Sequence, residues 1–325
     1  MQQVVNGPSS NAREGSRVKV ISAGTGFSWV RPPDNAVFNL TDQAELPEII
    51  FEVKGHDGDD LNWSWSIEWE AKVSGLRERA RKNTILQTFK RFDAFVGVDN
   101  VWCAEFSGEV LGGRLTVVVS NGMGSIKRTV QIRGVNPSKE TVAQYIAELE
   151  DMDGFEKLLE QETSTKHFIN LDGEPIAAFD KGYGITQMTN PAPSYEQVWN
   201  WKANILGGSG VYKDKVLAAK KYLGQKDRVY TEEQLKHEIF SRWNGGSYHQ
   251  WDQESERWVR KKNILCDSAT GNIGWSMSKD KNKGKTEDEL HERDKGKYKE
   301  GGKGQTADHP WQYSGVCYAD HVLKE

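Results

Sequence analysis

Residues 158–187 read LLEQETSTKHFINLDGEPIAAFDKGYGITQ, and this stretch decides how the rest of the chain is understood. Phe155, Leu158 and Leu159 recur at helical spacing, and Glu162 with Thr163 follows one turn later. The pattern then breaks into a loop that ends in Gly182-Tyr183-Gly184-Ile185-Thr186-Gln187. Burial against apolar side chains favours the protonated form of a carboxyl, so Glu162 is the candidate general acid near neutral pH. The glycines let backbone approach an extended substrate where a side chain would fill the groove. A rival acid, Glu174, lies in the turn Asp172-Gly173-Glu174-Pro175, where exposure gives poor means of raising a pKa.

A glutamate near a helix end is ordinarily solvated, and a G-x-G turn occurs in many folds. The weight comes from four pieces in order: Glu162-Thr163, then residues 182–187, then Asn204-Ile205-Leu206-Gly207-Gly208, then Arg242-Trp243-Asn244-Gly245-Gly246. The order resembles the soluble lytic transglycosylase and goose-type lysozyme superfamily, whose pattern is E-S, G-[LFY]-[GM]-[LI]-M-Q, N-[IL]-x-x-G and [AR]-Y-N-x-G. A fifth piece, Tyr318-Ala319-Asp320-His321-Val322, is similar to the Y-A-x-x-V of that family's last helix. The resemblance covers residues 136–325 only.

The resemblance implies a mainly α-helical lysozyme-like domain that cuts peptidoglycan at the β-1,4 bond between N-acetylmuramic acid and N-acetylglucosamine. It makes Glu162 the acid that protonates the glycosidic oxygen. In lytic transglycosylases the same group then takes a proton from the muramoyl C6 hydroxyl, closing a 1,6-anhydro ring. In goose-type lysozymes water attacks, usually helped by a second carboxylate. Asp180 is the best candidate for that base, with Glu174 another. The goose-type position two residues after the motif glutamine holds Thr189, which cannot act as a base, and this tilts the expectation towards the transglycosylase. By the same carry-over Thr163, Tyr183, Gly184, Gln187, Asn244 and Tyr318 are substrate-binding candidates. Asn204 and Gly208 look structural. Trp243 stands where the family has a tyrosine that touches the acid, and Tyr318 is a substitute hydroxyl. Phe168 and Tyr248 read either as stacking surface or as core. No cofactor or metal is called for, and no Cys/His set has zinc-ligand spacing.

Upstream, residues 16–135 alternate apolar and polar, with strand-like runs at 18–21, 49–53, 63–69, 102–106, 115–119 and 129–132. That is the pattern of a β-sandwich, of immunoglobulin-like architecture, closing in a hairpin around residues 120–124. Trp63, Trp65 and Trp69 share one face: an inward core row on one reading, an aromatic strip for sugars on the other. Residues 1–15 read as a flexible tail, Ser138 and Asp153 as helix caps, and the charged run 279–304 as a mobile insertion. Together these give an α+β two-domain expectation.

The chain of 325 residues has 43 Lys+Arg against 47 Asp+Glu, a net charge of −4 and a mean hydropathy of −0.71. That balance argues against a general nucleic-acid binder, and no apolar run approaches the ~20 residues of a membrane span. The first residues lack the charged start, apolar core and cleavage site of a secretory signal. A wall-cutting enzyme made in the cytoplasm needs carriage to the periplasm or wall. An injected antibacterial toxin, with an immunity protein as partner, or a phage-type particle component would supply it. Cys103 reads as a buried small hydrophobe, whereas Cys266 and Cys317 flank the insertion and can pair in an oxidising compartment. Two further readings stand beside the transglycosylase: a goose-type muramidase, and a non-catalytic wall-binding or particle-assembly protein that keeps the groove.

Overall fold

The computed structural model describes residues 28–55, 60–74, 84–121, 124–169, 172–298 and 309–324. The expected tail and the strand at 18–21 lie outside the described residues. Among the described residues eight strands come first: β1 (Ser28–Arg31), β2 (Ala36–Asn39), β3 (Ile50–Lys54), β4 (Leu61–Lys72), β5 (Ile85–Gly97), β6 (Val101–Cys103), β7 (Gly113–Asn121) and β8 (Gly124–Arg133). They form a five-stranded sheet in the order β2-β8-β7-β4-β5 and a three-stranded sheet β1-β3-β6. Only β2 joins its neighbour in parallel.

Alternation along β4 sends Trp63, Trp65 and Trp69 to one face, and all three are buried. Trp102 of the smaller sheet stacks on Trp65 at 6.4 Å, and Trp29 meets Trp63 edge-on at 6.1 Å, so the row is core and not a sugar strip. Each such ring taken out of water contributes about 1.5–3 kcal/mol. The same alternation turns Cys103 outward, and it is exposed rather than buried.

The core does not stop at the sandwich. Trp69 packs edge-on against Trp199 at 5.6 Å and against Tyr183 at 6.3 Å, and Phe89 meets Tyr183 at 5.5 Å. A side chain at Gly112 would lie 2.0 Å from the Trp199 ring, so this joint requires glycine. The end of β4 also holds the downstream loop, with Ser74 N donating to Ala177 O at 2.7 Å.

Among the described residues seven α-helices follow: α1 (Lys139–Ala147), α2 (Phe155–Thr163), α3 (Tyr195–Trp199), α4 (Trp201–Leu223), α5 (Glu232–Trp243), α6 (Glu287–Asp294) and α7 (Gly315–Val322). Ser138 caps α1, and Thr231 forms a capping box with Gln234 at α5. At α2 the cap position is Gly154, with a positive φ of 84°, while Asp153 pairs with Lys236 instead. Interleaved are β9 (His249–Asp252) paired with β10 (Arg257–Arg260), and a sheet of β11 (Ile264–Cys266), β12 (Ile273–Ser276) and β13 (Trp311–Tyr313).

These two sheets overturn the expectation of a mainly α-helical lysozyme-like domain. The structure is mixed, 30% helix and 31% strand, with four separate sheets among the described residues. The reason is local. Trp258, Trp275 and Trp311 are buried from short strands joined by polar turns, and β-rich aromatic runs of three or four residues carry no helical period. Within the expected mobile insertion, α6 has a capping box of Thr286 with Glu289, and it buries Leu290 and Asp294. Trp275 Nε1 donates to Asp294 Oδ2 at 2.8 Å, which ties the charged helix to an aromatic core of Ile273, Trp275, Leu290 and Trp311. No helix among the described residues is long and apolar enough to cross a membrane.

Candidate active site

Helix α2 buries Phe155, Leu158, Leu159 and Thr163, which leaves Glu162 on its flank at the last turn. Ser164 and Thr165 then adopt positive φ values of 52° and 59°, and the chain reverses. Thr163 Oγ1 donates to Ile185 O at 3.0 Å, so its hydroxyl staples the loop to the helix end. Thr163 is buried and does not line the groove expected of it.

The loop is held from two further sides. His167, fully buried, accepts from Ile185 N at its Nδ1 (3.1 Å), and its Nε2 meets Val198 O at 2.8 Å, where it donates. Burial pushes the imidazole pKa down to about 4, so it stays neutral. From α4, Asn204 Oδ1 accepts from Thr186 N and Oγ1, and its Nδ2 donates to Tyr183 O and Gln197 O. That is full use of one buried amide, as expected of a structural asparagine. Gly184 has φ of 69°, and a Cβ there would lie 2.4 Å from His167. At Gly208 a Cβ would lie 2.6 Å from Thr186, so α4 and the loop meet backbone to side chain.

Two tight contacts bring the acid's partners in. Trp243 ends α5, with its ring edge-on to Phe155 at 6.1 Å, and its Nε1 donates to Glu162 Oε1 at 3.0 Å. Tyr318 lies on α7, and its hydroxyl donates to the same Oε1 at 2.6 Å. Burial, then the Glu162 charge and this hydrogen bond, hold the Tyr318 hydroxyl well above its ordinary pKa, so it remains a donor. An indole and the C-terminal hydroxyl thus meet on one oxygen of the acid.

Helix α7 is itself pinned. Cys317 is disulfide-bonded to Cys266 of β11 with Cα atoms 5.3 Å apart, and Asp320 accepts from Arg260 at 2.6 Å and from Tyr248 at 2.7 Å. A Cβ on Gly315 would lie 2.4 Å from Ser241 O, so α7 needs glycine to approach α5.

The Glu162 pKa is raised. Burial is the main cause and the nearby Asp180 charge acts the same way, against the lowering hydrogen bonds from Tyr318 and Trp243. Both donors reach Oε1; among the described residues Oε2 has no hydrogen bond, and it is the oxygen available to the cavity that Glu162 lines. That cavity is about 750 Å³, within the size range of small-ligand sites.

Asp180, Gln187 and Asn244 line the same cavity. Gln187 is partly engaged, its Nε2 donating to Gly184 O at 2.8 Å. Tyr183 and Gly184 do not line it: Tyr183 is 1% exposed and belongs to the joint with the sandwich, because Trp69 and Phe89 cover its ring. Phe168 and Tyr248 are core. The rival Glu174 lines a different cavity, where Trp69 Nε1 donates to it at 3.0 Å. Phe179, Asn190, Lys215, Asn272 and Tyr313 also line the Glu162 cavity and belong to no motif read from the sequence. Lys215 alone had a signal, since it falls on the Gly208–Val211 face of α4 at helical spacing.

The chain matches no protein-family model and no curated protein.

Proposed function

We propose that the protein cleaves the β-1,4 bond between N-acetylmuramic acid and N-acetylglucosamine in peptidoglycan, as a lytic transglycosylase with Glu162 as its acid. The observation that carries this reading is the Glu162 carboxyl: pKa raised by burial, one oxygen fixed by Tyr318 and Trp243, the other free towards a groove. Protonated Oε2 gives its proton to the glycosidic oxygen as the C1–O bond breaks and the sugar gains oxocarbenium character. The carboxylate left behind is stabilised by the two donors on Oε1. It then takes the C6 hydroxyl proton as that oxygen closes on C1, and the acid is restored. The order of the sequence pieces around Glu162, Asn204 and Asn244 supports the same family of reactions. The Cys266–Cys317 disulfide suits an oxidising compartment, where glycan strands are found.

A second reading, hydrolysis of the same bond, is favoured by one observation: Asp180 lines the Glu162 cavity, where a base would activate water. Digestion of purified sacculi followed by mass spectrometry separates the cases. Anhydro-ended muropeptides from wild type, and none from Glu162→Gln, are the expected result. Reducing ends that disappear with Asp180→Asn assign hydrolysis. Absence of any muropeptide from wild type across pH 4–9 overturns the enzyme and leaves a groove that only binds.

A further inference from the structure

Two large aromatic side chains stand in water within the Glu162 cavity. Phe179 is 51% exposed and Tyr313 is 39% exposed, whereas the aromatics singled out in the sequence, Phe168, Tyr183 and Tyr248, are all buried. Leaving such surface in solvent costs stability, so its concentration in one concave site marks a place for an apolar face of a ligand.

Both side chains are carried on braced backbone. Phe179 sits in a tight turn closed by Ala178 N to Gly182 O at 2.8 Å and by Lys181 N to Ala178 O at 3.1 Å. Tyr313 ends β13, paired to Ile273 of β12, and its ring lies edge-on to the buried Trp311 at 5.7 Å. Asp180, next to Phe179, lines the same cavity and its charge acts on the Tyr313 hydroxyl, so two distant segments each bring an aromatic side chain to one groove. Around them the side chains of Asn190 and Asn272 line the cavity without hydrogen-bond partners among the described residues.

A pyranose ring presents exactly these needs in reverse: a C–H face that packs on an aromatic ring, and equatorial hydroxyl and acetamido groups that bond to amides. We propose that Phe179 and Tyr313 are a saccharide-stacking clamp for N-acetylated β-1,4-hexosaminide strands, with Asn190 and Asn272 as the polar contacts beside it. The clamp rests on the glycan-cleaving reading of the groove and adds the residues that grip the strand. It also gives the β11–β13 sheet a function, because that sheet delivers Tyr313 and Asn272 to the cavity.

The test uses the full chain carrying Glu162→Gln and tetra-N-acetylchitotetraose as the probe, measured by calorimetry. Adding Phe179→Ala or Tyr313→Ala is expected to weaken binding about tenfold each, and Tyr313→Trp to restore it. Both sites are exposed, so melting temperatures stay within a degree or two, about the noise of a surface change. On soluble glycan strands, the same alanine substitutions in active protein raise KM about tenfold and leave kcat within about threefold, the signature of lost uniform binding. No binding of the probe, or alanine variants that bind it within about twofold of the parent, overturns the clamp. Probe binding that depends on Phe179 and Tyr313 in a protein that cleaves nothing keeps the clamp and sinks the catalytic reading. Cleavage with KM unmoved by both alanines does the reverse.

Discussion

The protein contains two tryptophan–glutamate hydrogen bonds of the same length: Trp243 to Glu162 at 3.0 Å and Trp69 to Glu174 at 3.0 Å. Glu174 faces a cavity on the sandwich side that mixes three cations, Lys72, Arg114 and Arg133, with two further carboxylates, Glu68 and Glu70, which pair with Arg114 and Lys72. Glu162 faces a cavity whose lining contains one cation, Lys215, and a second carboxylate, Asp180, and it takes an additional hydrogen bond from Tyr318. Apolar burial and a like charge raise the proton affinity, and a second donor on the same oxygen leaves the other oxygen free to act.

The comparison breaks most directly by substitution of each glutamate. Glu162→Gln is expected to lower muropeptide release by about 10²–10⁴-fold, while Glu174→Gln leaves it within about twofold. Equal losses at the two sites would remove the distinction. Stability has its own sign. A carboxyl with a raised folded-state pKa contributes stability at low pH and loses it as pH rises through that pKa. Glu162→Gln is therefore expected to raise the melting temperature at neutral pH, with the gain fading below the ordinary carboxylate range.

His167 adds a pH signature of its own, because its buried ring holds the loop at Ile185 to Val198. Its pKa of about 4 lies below the ordinary histidine value of 6.5, so the unfolded chain binds the proton first as pH falls. Stability contributed by the neutral ring is full above about pH 6.5 and is lost progressively down to about pH 4, by at most about 3 kcal/mol. Chemical denaturation of wild type and His167→Gln across that window measures it, and parallel pH profiles would contradict the role. Next in size is the disulfide. Replacing Cys266 and Cys317 with alanine is expected to cost about 2–4 kcal/mol. It should also slow cleavage, because α7 carries Tyr318 beside Cys317. A loss of stability with unchanged cleavage would separate α7 from the acid.

The smallest expected effect is that of a single donor. Tyr318→Phe and Trp243→Phe each slow cleavage by about ten- to a hundredfold, since a hydrogen bond to a charged group is worth about 1.5–3 kcal/mol. They also raise the Glu162 pKa further, since each removes a bond that favours the carboxylate.

What the sequence made legible follows from range. The strand alternation at Trp63, Trp65 and Trp69 and the cap at Ser138 are local signals, and they correspond to the structure. Glu162 and Asn204 were reached through the order of short pieces along the chain. Tyr183 misled because its neighbours are glycines, as in a groove loop, yet its burial is set by Trp69 and Phe89 of the sandwich, which no local pattern reveals. Gly207 and Gly208 do not end α4, which runs on to Leu223, since they serve close packing on Met188 and Thr186. Phe179 and Tyr313 had no signal at all. Exposure of an aromatic is a property of the folded surface, not of spacing.

Site-specific carbon-13 titration of the Glu162 carboxyl tests the central claim most directly. The pKa is expected above the ordinary carboxylate value of 4.5, and higher still in Tyr318→Phe. A midpoint at or below that value in wild type, or one that falls when Tyr318 loses its hydroxyl, would contradict a buried acid held ready to donate.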